Sequence, residues 1–240
     1  MQAFDSLSRD IQQYIYDKGW PSLTSIQNAA IKQVANTDHN LILSAPTASG
    51  KTEAAFIPAL NSVEDWETGL KVLYISPLKA LINDQFQRIS ELSEYLDIPI
   101  TRWHGEVSQA QKRKVVNQPK GVLLITPESI EGMLVNRPGE AQHLFKGVEW
   151  IIIDELHSFL GTERGIHLQS LLQRISQFMQ EPRFIAMSAT LNKKDFGYAK
   201  AFFGSQRDTD ILVDRDKNDL LVTIDYTSGE AGPFVARESL

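Results

Sequence analysis

The chain has 240 residues, enough to bury a substantial core as one large domain, or as one domain with a tail. Its 42% hydrophobic and 22% charged residues are ordinary for a globular protein, and the absence of cysteine excludes disulfides, thiolate metal sites, iron–sulfur clusters and cysteine nucleophiles. A net charge of −6 argues against a basic sheath for nucleic acid but leaves room for a local groove, because the potential at the site is what matters.

The first ten residues, MQAFDSLSRD, are polar and acidic and do not read as a cleavable leader. No apolar run along the chain is long enough for a bilayer, so a cytoplasmic protein without membrane contact is expected. Leu7, Ile11, Tyr14 and Ile15 keep helical spacing. Strands are then predicted at 40–45 (NLILSA), 71–76 (KVLYIS), 121–126 (GVLLIT), 149–154 (EWIIID) and 183–188 (RFIAMS), with weaker candidates at 98–103, 211–213 and 220–226. The five strong runs are apolar throughout rather than alternating, as expected of parallel strands covered on both faces. Lys112, Arg113 and Lys114 form the one tight basic triplet, which taken alone is a solvated helix face. Leu168, Leu171, Leu172, Ile175, Phe178 and Met179 give a helix between the last two strong strands. Alternation of this kind predicts an α/β fold: a doubly wound, mainly parallel sheet with helices on both faces. One lobe is expected over 1–215. Residues 216–240 are expected to be a linker or the start of a following domain, 227–240 (TSGEAGPFVARESL) having little periodicity.

Ligands of open parallel sheets sit beyond the carboxyl ends of the strands. The five strong strands end in SAPTASGKT, SPLKAL, TPES, DELH and SAT, which would all lie on one edge. The loop Ala45-Pro46-Thr47-Ala48-Ser49-Gly50-Lys51-Thr52 follows the first strand and opens a helix. Its amides and the helix N-terminus suit a polyphosphate, Lys51 would reach the β/γ-phosphates, and the Thr52 hydroxyl would ligate Mg²⁺. The loop begins with Ala45 where the usual phosphate-loop pattern begins with glycine. A carboxylate at the end of a buried strand is costly unless something there needs its charge. A Mg²⁺–phosphate cluster supplies that need at WIIIDELH: Asp154 would hold the metal and Glu155 would polarise an attacking water. Nucleotide hydrolysis is the implied chemistry. A lone His157 is more often a partly buried structural residue, and Ser188-Ala189-Thr190 alone carries little information, though its hydroxyls could reach the acidic segment.

The ordered set APTASGKT, SPLKAL, TPES, DELH and SAT resembles the first motor lobe of superfamily-2 DExH-box helicases over about residues 5–205. HGEVSQAQKRK and ELHSFLGTERGIHLQSLLQRI are most similar to the Lhr-type (large helicase-related) group. The resemblance implies a RecA-like P-loop NTPase lobe using ATP and Mg²⁺, with Lys51, Asp154, Glu155 and His157 in the catalytic set. It implies that Gln27, in GWPSLTSIQ, reads the adenine edge, and that His157, Ser188 and Thr190 couple hydrolysis to nucleic acid. Pro77, Leu78 and Lys79, with Thr126, Pro127, Glu128 and Ser129, would contact the backbone of single-stranded or partly duplex nucleic acid, DNA favoured over RNA. Arg164 and Gly165 match a family segment without an evident chemical role.

In such helicases a second RecA-like lobe supplies an arginine finger, and the residues after 205 are too few to form one. Arg207, Arg215 and Arg237 lie there outside any recognisable motif, so the second lobe is expected from a longer chain or a partner. The principal alternative is a nucleotide-dependent binding module with little turnover. A P-loop small-molecule kinase would leave TPES and SAT without purpose.

Overall fold

The computed structural model describes residues 2–204, 206–216 and 219–223. Residues 227–240, Arg237 and the side chain of Arg215 lie outside them. In chain order the elements are α1 (Arg9–Asp17), α2 (Ser25–Asn36), β1 (Asn40–Ser44), α3 (Lys51–Ser62), β2 (Gly69–Ile75), α4 (Lys79–Tyr95), β3 (Ile100–Trp103), α5 (Gln109–Asn117) and β4 (Lys120–Ile125). They continue with α6 (Pro127–Asn136), α7 (Pro138–Phe145), β5 (Trp150–Ile153), α8 (Glu163–Ser176), β6 (Arg183–Ser188), α9 (Phe196–Ala201), β7 (Thr209–Asp216) and β8 (Asp219–Thr223).

One sheet runs in the order β3-β4-β2-β5-β6-β1-β7-β8. Every pairing from β3 to β7 is parallel, and β8 closes the edge antiparallel to β7. The apolar strand runs have a direct cause. Successive side chains point to opposite faces, and both faces are covered. Leu41, Leu43, Val72, Tyr74, Trp150 and Ile152 pack with α1–α4, whereas Ile42, Leu73, Ile75, Ile151 and Ile153 pack with helices α5 to α9. Burying each such side chain contributes about 1.5–3 kcal/mol.

Parallel pairing places all these carboxyl ends on one edge. Ser44 is level with Ser188, Ile75 with both Ile153 and Ile125, and Ile125 with Trp103. The weaker strand at 98–103 is real but shortened to β3 on the sheet edge. Polar side chains start the helices at this edge: Thr126 Oγ1 caps α6, and Thr162 Oγ1 caps α8 by accepting from Gly165 N at 3.1 Å.

Candidate functional site

The loop between β1 and α3 is shaped as an anion cradle. Ala48 and Gly50 both take positive φ, +63° and +83°, which turns the chain sharply before α3 begins at Lys51. Gly50 suits this turn because its φ disfavours a side chain; an added Cβ would also lie 2.5 Å from Gln27 Nε2 and push that amide aside. Lys51 Nζ donates to the carbonyls of Ala45 and of Pro46, the latter at 2.6 Å. Burial lowers the Lys51 pKa against the pull of Glu155 and Asp154. Ser49 Oγ is buried without a partner, one further donor in the loop. Thr52 is buried and its hydroxyl donates to Gln85 of α4 at 3.1 Å.

Gln27 does structural work beneath this loop. Its Oε1 accepts from Thr24 N at 2.9 Å, Thr24 Oγ1 accepts from Gln27 N, and this reciprocal cap starts α2. Its Nε2 lies 3.4 Å from the Gly50 carbonyl. The amide expected to read adenine therefore also contacts the loop between β1 and α3.

β6 is the one strand between β1 and β5, so Asp154 stands roughly 10 Å across the sheet from the loop, two strand spacings away. Asp154 is 6% exposed, and burial raises its pKa despite a hydrogen bond from the fully buried Tyr74 hydroxyl. Its other oxygen accepts from Glu155 N at 2.9 Å. Glu155 is left-handed, φ +49° and ψ +47°, a conformation costly for a residue with a side chain. That turn aims its carboxylate at His157, with Oε2 3.2 Å from Nδ1. Ser188 Oγ is 3.3 Å from the same nitrogen and 2.8 Å from the Thr190 carbonyl. The serine's single proton goes to that carbonyl, so the Nδ1–H must be the donor shared between Glu155 and Ser188. His157 and Ser188 thus sit together beside Glu155, whereas Thr190 contributes its main-chain carbonyl.

Across β2 and β4, Pro77 is buried and Lys79 is exposed, paired with Glu106 of the HGE turn. Thr126 Oγ1 accepts from Ser129 N at 3.3 Å, Pro127 sits in the first turn of α6, and Glu128 points outward to Arg164 at 2.6 Å. Lys112 lies over the face of Trp103, 5.7 Å from the ring centroid, so the basic triplet is only partly a solvated face. These groups form a second surface on the same edge, beside the loop and the acidic segment. Arg207 is elsewhere: it pairs with Asp38 at 2.8 Å and Glu181 at 3.2 Å at the amino end of the sheet.

Sequence motifs gave no sign of Tyr74 or Gln85, and assigned no role to Glu106, though it lies inside the HGEVSQAQKRK segment. A tyrosine inside an aliphatic strand is a weak signal, since a buried hydroxyl needs a partner. Gln85 and Glu106 become visible only when α4 and the turn after β3 are folded onto the edge.

The sequence matches the DEAD/DEAH box helicase family over residues 24–196. The ATP-dependent helicase Lhr-Core of Methanocaldococcus jannaschii is 29% identical over 229 residues, covering 88% of this chain and 26% of that protein. The Lhr helicase/uracil glycosylase of Escherichia coli is 32% identical over 214 residues, covering 79% and 13% respectively. Among solved structures, Mycobacterium smegmatis helicase Lhr bound to ssDNA and AMP-PNP superposes with a TM-score of 0.76 at 28% identity, covering 88% of this chain and 28% of that one. The chain thus spans roughly a quarter or less of the length of these relatives. The likeness establishes the RecA-like helicase lobe expected from the motifs. Among the described residues no helix is long and apolar enough to cross a membrane.

Proposed function

Because the chain belongs to the DEAD/DEAH box helicase family, we propose that it is the ATP-binding lobe of a motor that couples Mg·ATP hydrolysis to movement on, or unwinding of, nucleic acid. The observation that carries the proposal is the convergence of the Lys51 loop, the buried Asp154 and the Glu155–His157–Ser188 network on one sheet edge, beside the Lys79 and Thr126–Ser129 surface. Single-stranded DNA is the favoured partner, in line with the DNA-bound relative. The lobe occupies 1–215, and 216–240 serves as a linker or as the start of the next domain. The closing lobe with its arginine comes from a longer chain or a partner. The cytoplasm, where ATP and nucleic acid are both at hand, is the proposed location.

In this assignment Gln27 meets the adenine edge while bracing Gly50, and residues 45–50 present amides to the phosphates. Lys51 exchanges its two neutral carbonyl partners for phosphate oxygens, a trade favoured because burial opposes its charge more than Glu155 and Asp154 support it. Thr52 and Asp154 are the residues to hold Mg²⁺. Their fit rests on Asp154, a buried carboxylate whose charge burial opposes and a cation would relieve. No cluster of three or more acidic or histidine ligands exists among the described residues. That suits an ion held by one carboxylate, one hydroxyl and substrate oxygens. When bound, the ion neutralises charge on the phosphates. Glu155, oriented by the His157 Nδ1–H, takes the proton from water as its oxygen attacks the γ-phosphorus. The bond to the β–γ bridging oxygen breaks, giving ADP and phosphate. His157 and Ser188 carry the consequence to the neighbouring strand-binding surface.

The test is Glu155→Gln in the two-lobed protein, read by phosphate release and by equilibrium binding of Mg·ATP. The substitution keeps side-chain shape but removes the basic oxygen, so strand-stimulated release should fall about 100-fold or more, the size of general-base effects. Binding should persist. Retained turnover would remove Glu155 from the role of water-activating base.

A further inference from the structure

Arg164 stands at the start of α8, and its side chain reaches three neighbouring strand tips at once. Nη2 donates to the Pro77 carbonyl, just after β2, and to Glu128 Oε1 at 2.6 Å, just after β4. The guanidinium carbon lies 5.7 Å from the ring centroid of Phe159, in the segment after β5. β4, β2 and β5 are adjacent in the sheet. One guanidinium, donating twice from Nη2, therefore ties both proposed strand-contacting segments to the chain that leaves the acidic pair.

Gly165 makes the reach possible. A Cβ there would overlap the Phe159 carbonyl oxygen, so only glycine lets the first turn of α8 seat against that backbone. Thr162 fixes the same turn from both sides, donating to Phe159 O at 2.9 Å and accepting from Gly165 N.

We propose that Arg164 is a positioning residue for nucleic acid, setting the spacing and charge of the strand-contacting surface by clamping Pro77 and Glu128. The proposal rests on the nucleic-acid reading above and assigns a residue that reading leaves without a role. The two bonds act differently. Holding the Pro77 carbonyl fixes the plane of the next peptide, and so the direction of the Leu78 N–H, a main-chain donor for a strand phosphate. Pairing with Glu128 neutralises an exposed carboxylate that would otherwise repel the phosphate backbone. A lysine keeps the charge and can still donate twice, but it lacks the planar, pre-organised group that also stacks toward Phe159.

The experiment measures affinity for a labelled single-stranded oligonucleotide by fluorescence anisotropy, affinity for Mg·ATP by calorimetry, and thermal midpoint. The proteins are wild type, Arg164→Gln, Arg164→Lys, Glu128→Gln and the Arg164→Gln/Glu128→Gln pair. Arg164→Gln should weaken strand binding about tenfold, as loss of a charge-assisted hydrogen bond does, with Mg·ATP affinity within about twofold of wild type. Arg164→Lys should fall between them. The double variant should regain part of the loss, because the repulsion is gone while the Pro77 bond is still missing. It exchanges a neutral pair for a neutral pair, so the slope of log affinity against log salt should match wild type. A slope shallower by about 0.7 would make Arg164 a direct phosphate contact and overturn the proposal. Unchanged strand affinity in Arg164→Gln would also overturn it, as would parallel losses of strand affinity, nucleotide affinity and thermal midpoint. Failure of the wild type to bind any strand would instead refute the functional reading beneath it.

Discussion

Asp154→Asn should make the folded protein more stable while removing its response to nucleotide. The carboxyl is 6% exposed, and burial holds its pKa above the ordinary 3.8. Asparagine keeps the shape. Its Oδ1 still accepts from Glu155 N, and the Tyr74 hydroxyl turns to accept from the new amide instead of donating. Lys51 loses one of its two carboxylate neighbours, which trims the gain. A net stabilisation on the order of 1 kcal/mol remains, or ~2–4 °C for a chain of this size. The pH dependence has a definite sign. Because the folded pKa is the higher one, wild type carries no penalty below pH 3.8, where both states are protonated, and the full penalty once pH exceeds the folded value. The gap between the proteins should widen as pH rises from 3.8 through the higher folded value and then hold level. Saturating Mg·ATP reverses the order. At about 100 times Kd, wild type gains about 2.7 kcal/mol, or ~5–11 °C, and the variant little. Thermal scans across pH, with and without Mg·ATP, read all of this. A variant less stable than wild type at pH 7, or equally stabilised by Mg·ATP, would refute the reasoning.

The remaining expectations concern single contacts. Glu106→Gln releases Lys79 from an exposed, solvent-screened ion pair, so single-strand affinity should rise only about two- to fivefold; a fall in affinity would show that Glu106 has another role. Gly165→Ala forces a Cβ onto the Phe159 carbonyl and should cost about 1–3 kcal/mol in denaturant unfolding, whereas an unchanged midpoint would mean that α8 shifts freely.

Much of the fold was legible in the sequence because burial on both faces makes a strand apolar from end to end, and each such run stopped abruptly at a polar tip. SAPTASGKT and WIIIDELH marked two such tips, the ones proposed to face the nucleotide, and parallel pairing put them on one edge. What lay hidden are contacts between distant segments. The Tyr74 hydroxyl meets Asp154 only because β2 and β5 are neighbours, and Arg164 meets Pro77 and Glu128 only because β4, β2 and β5 are consecutive. Strand order is not written in local periodicity. Gln27 shows a subtler gap: its place before the loop was readable, but its share in a helix cap and its contact with Gly50 depend on how α2 packs. Thr190, a hydroxyl in the motif, enters the site through its carbonyl, which no residue identity encodes.

The measurement closest to the central claim is a calorimetric titration of this chain with Mg·ATP beside Lys51→Ala. Saturable binding in the wild type, lost in the variant because the ammonium facing the phosphates is gone, is the expected result. No binding in the wild type, or equal affinity in both proteins, would contradict the assignment of residues 45–52 as the phosphate cradle.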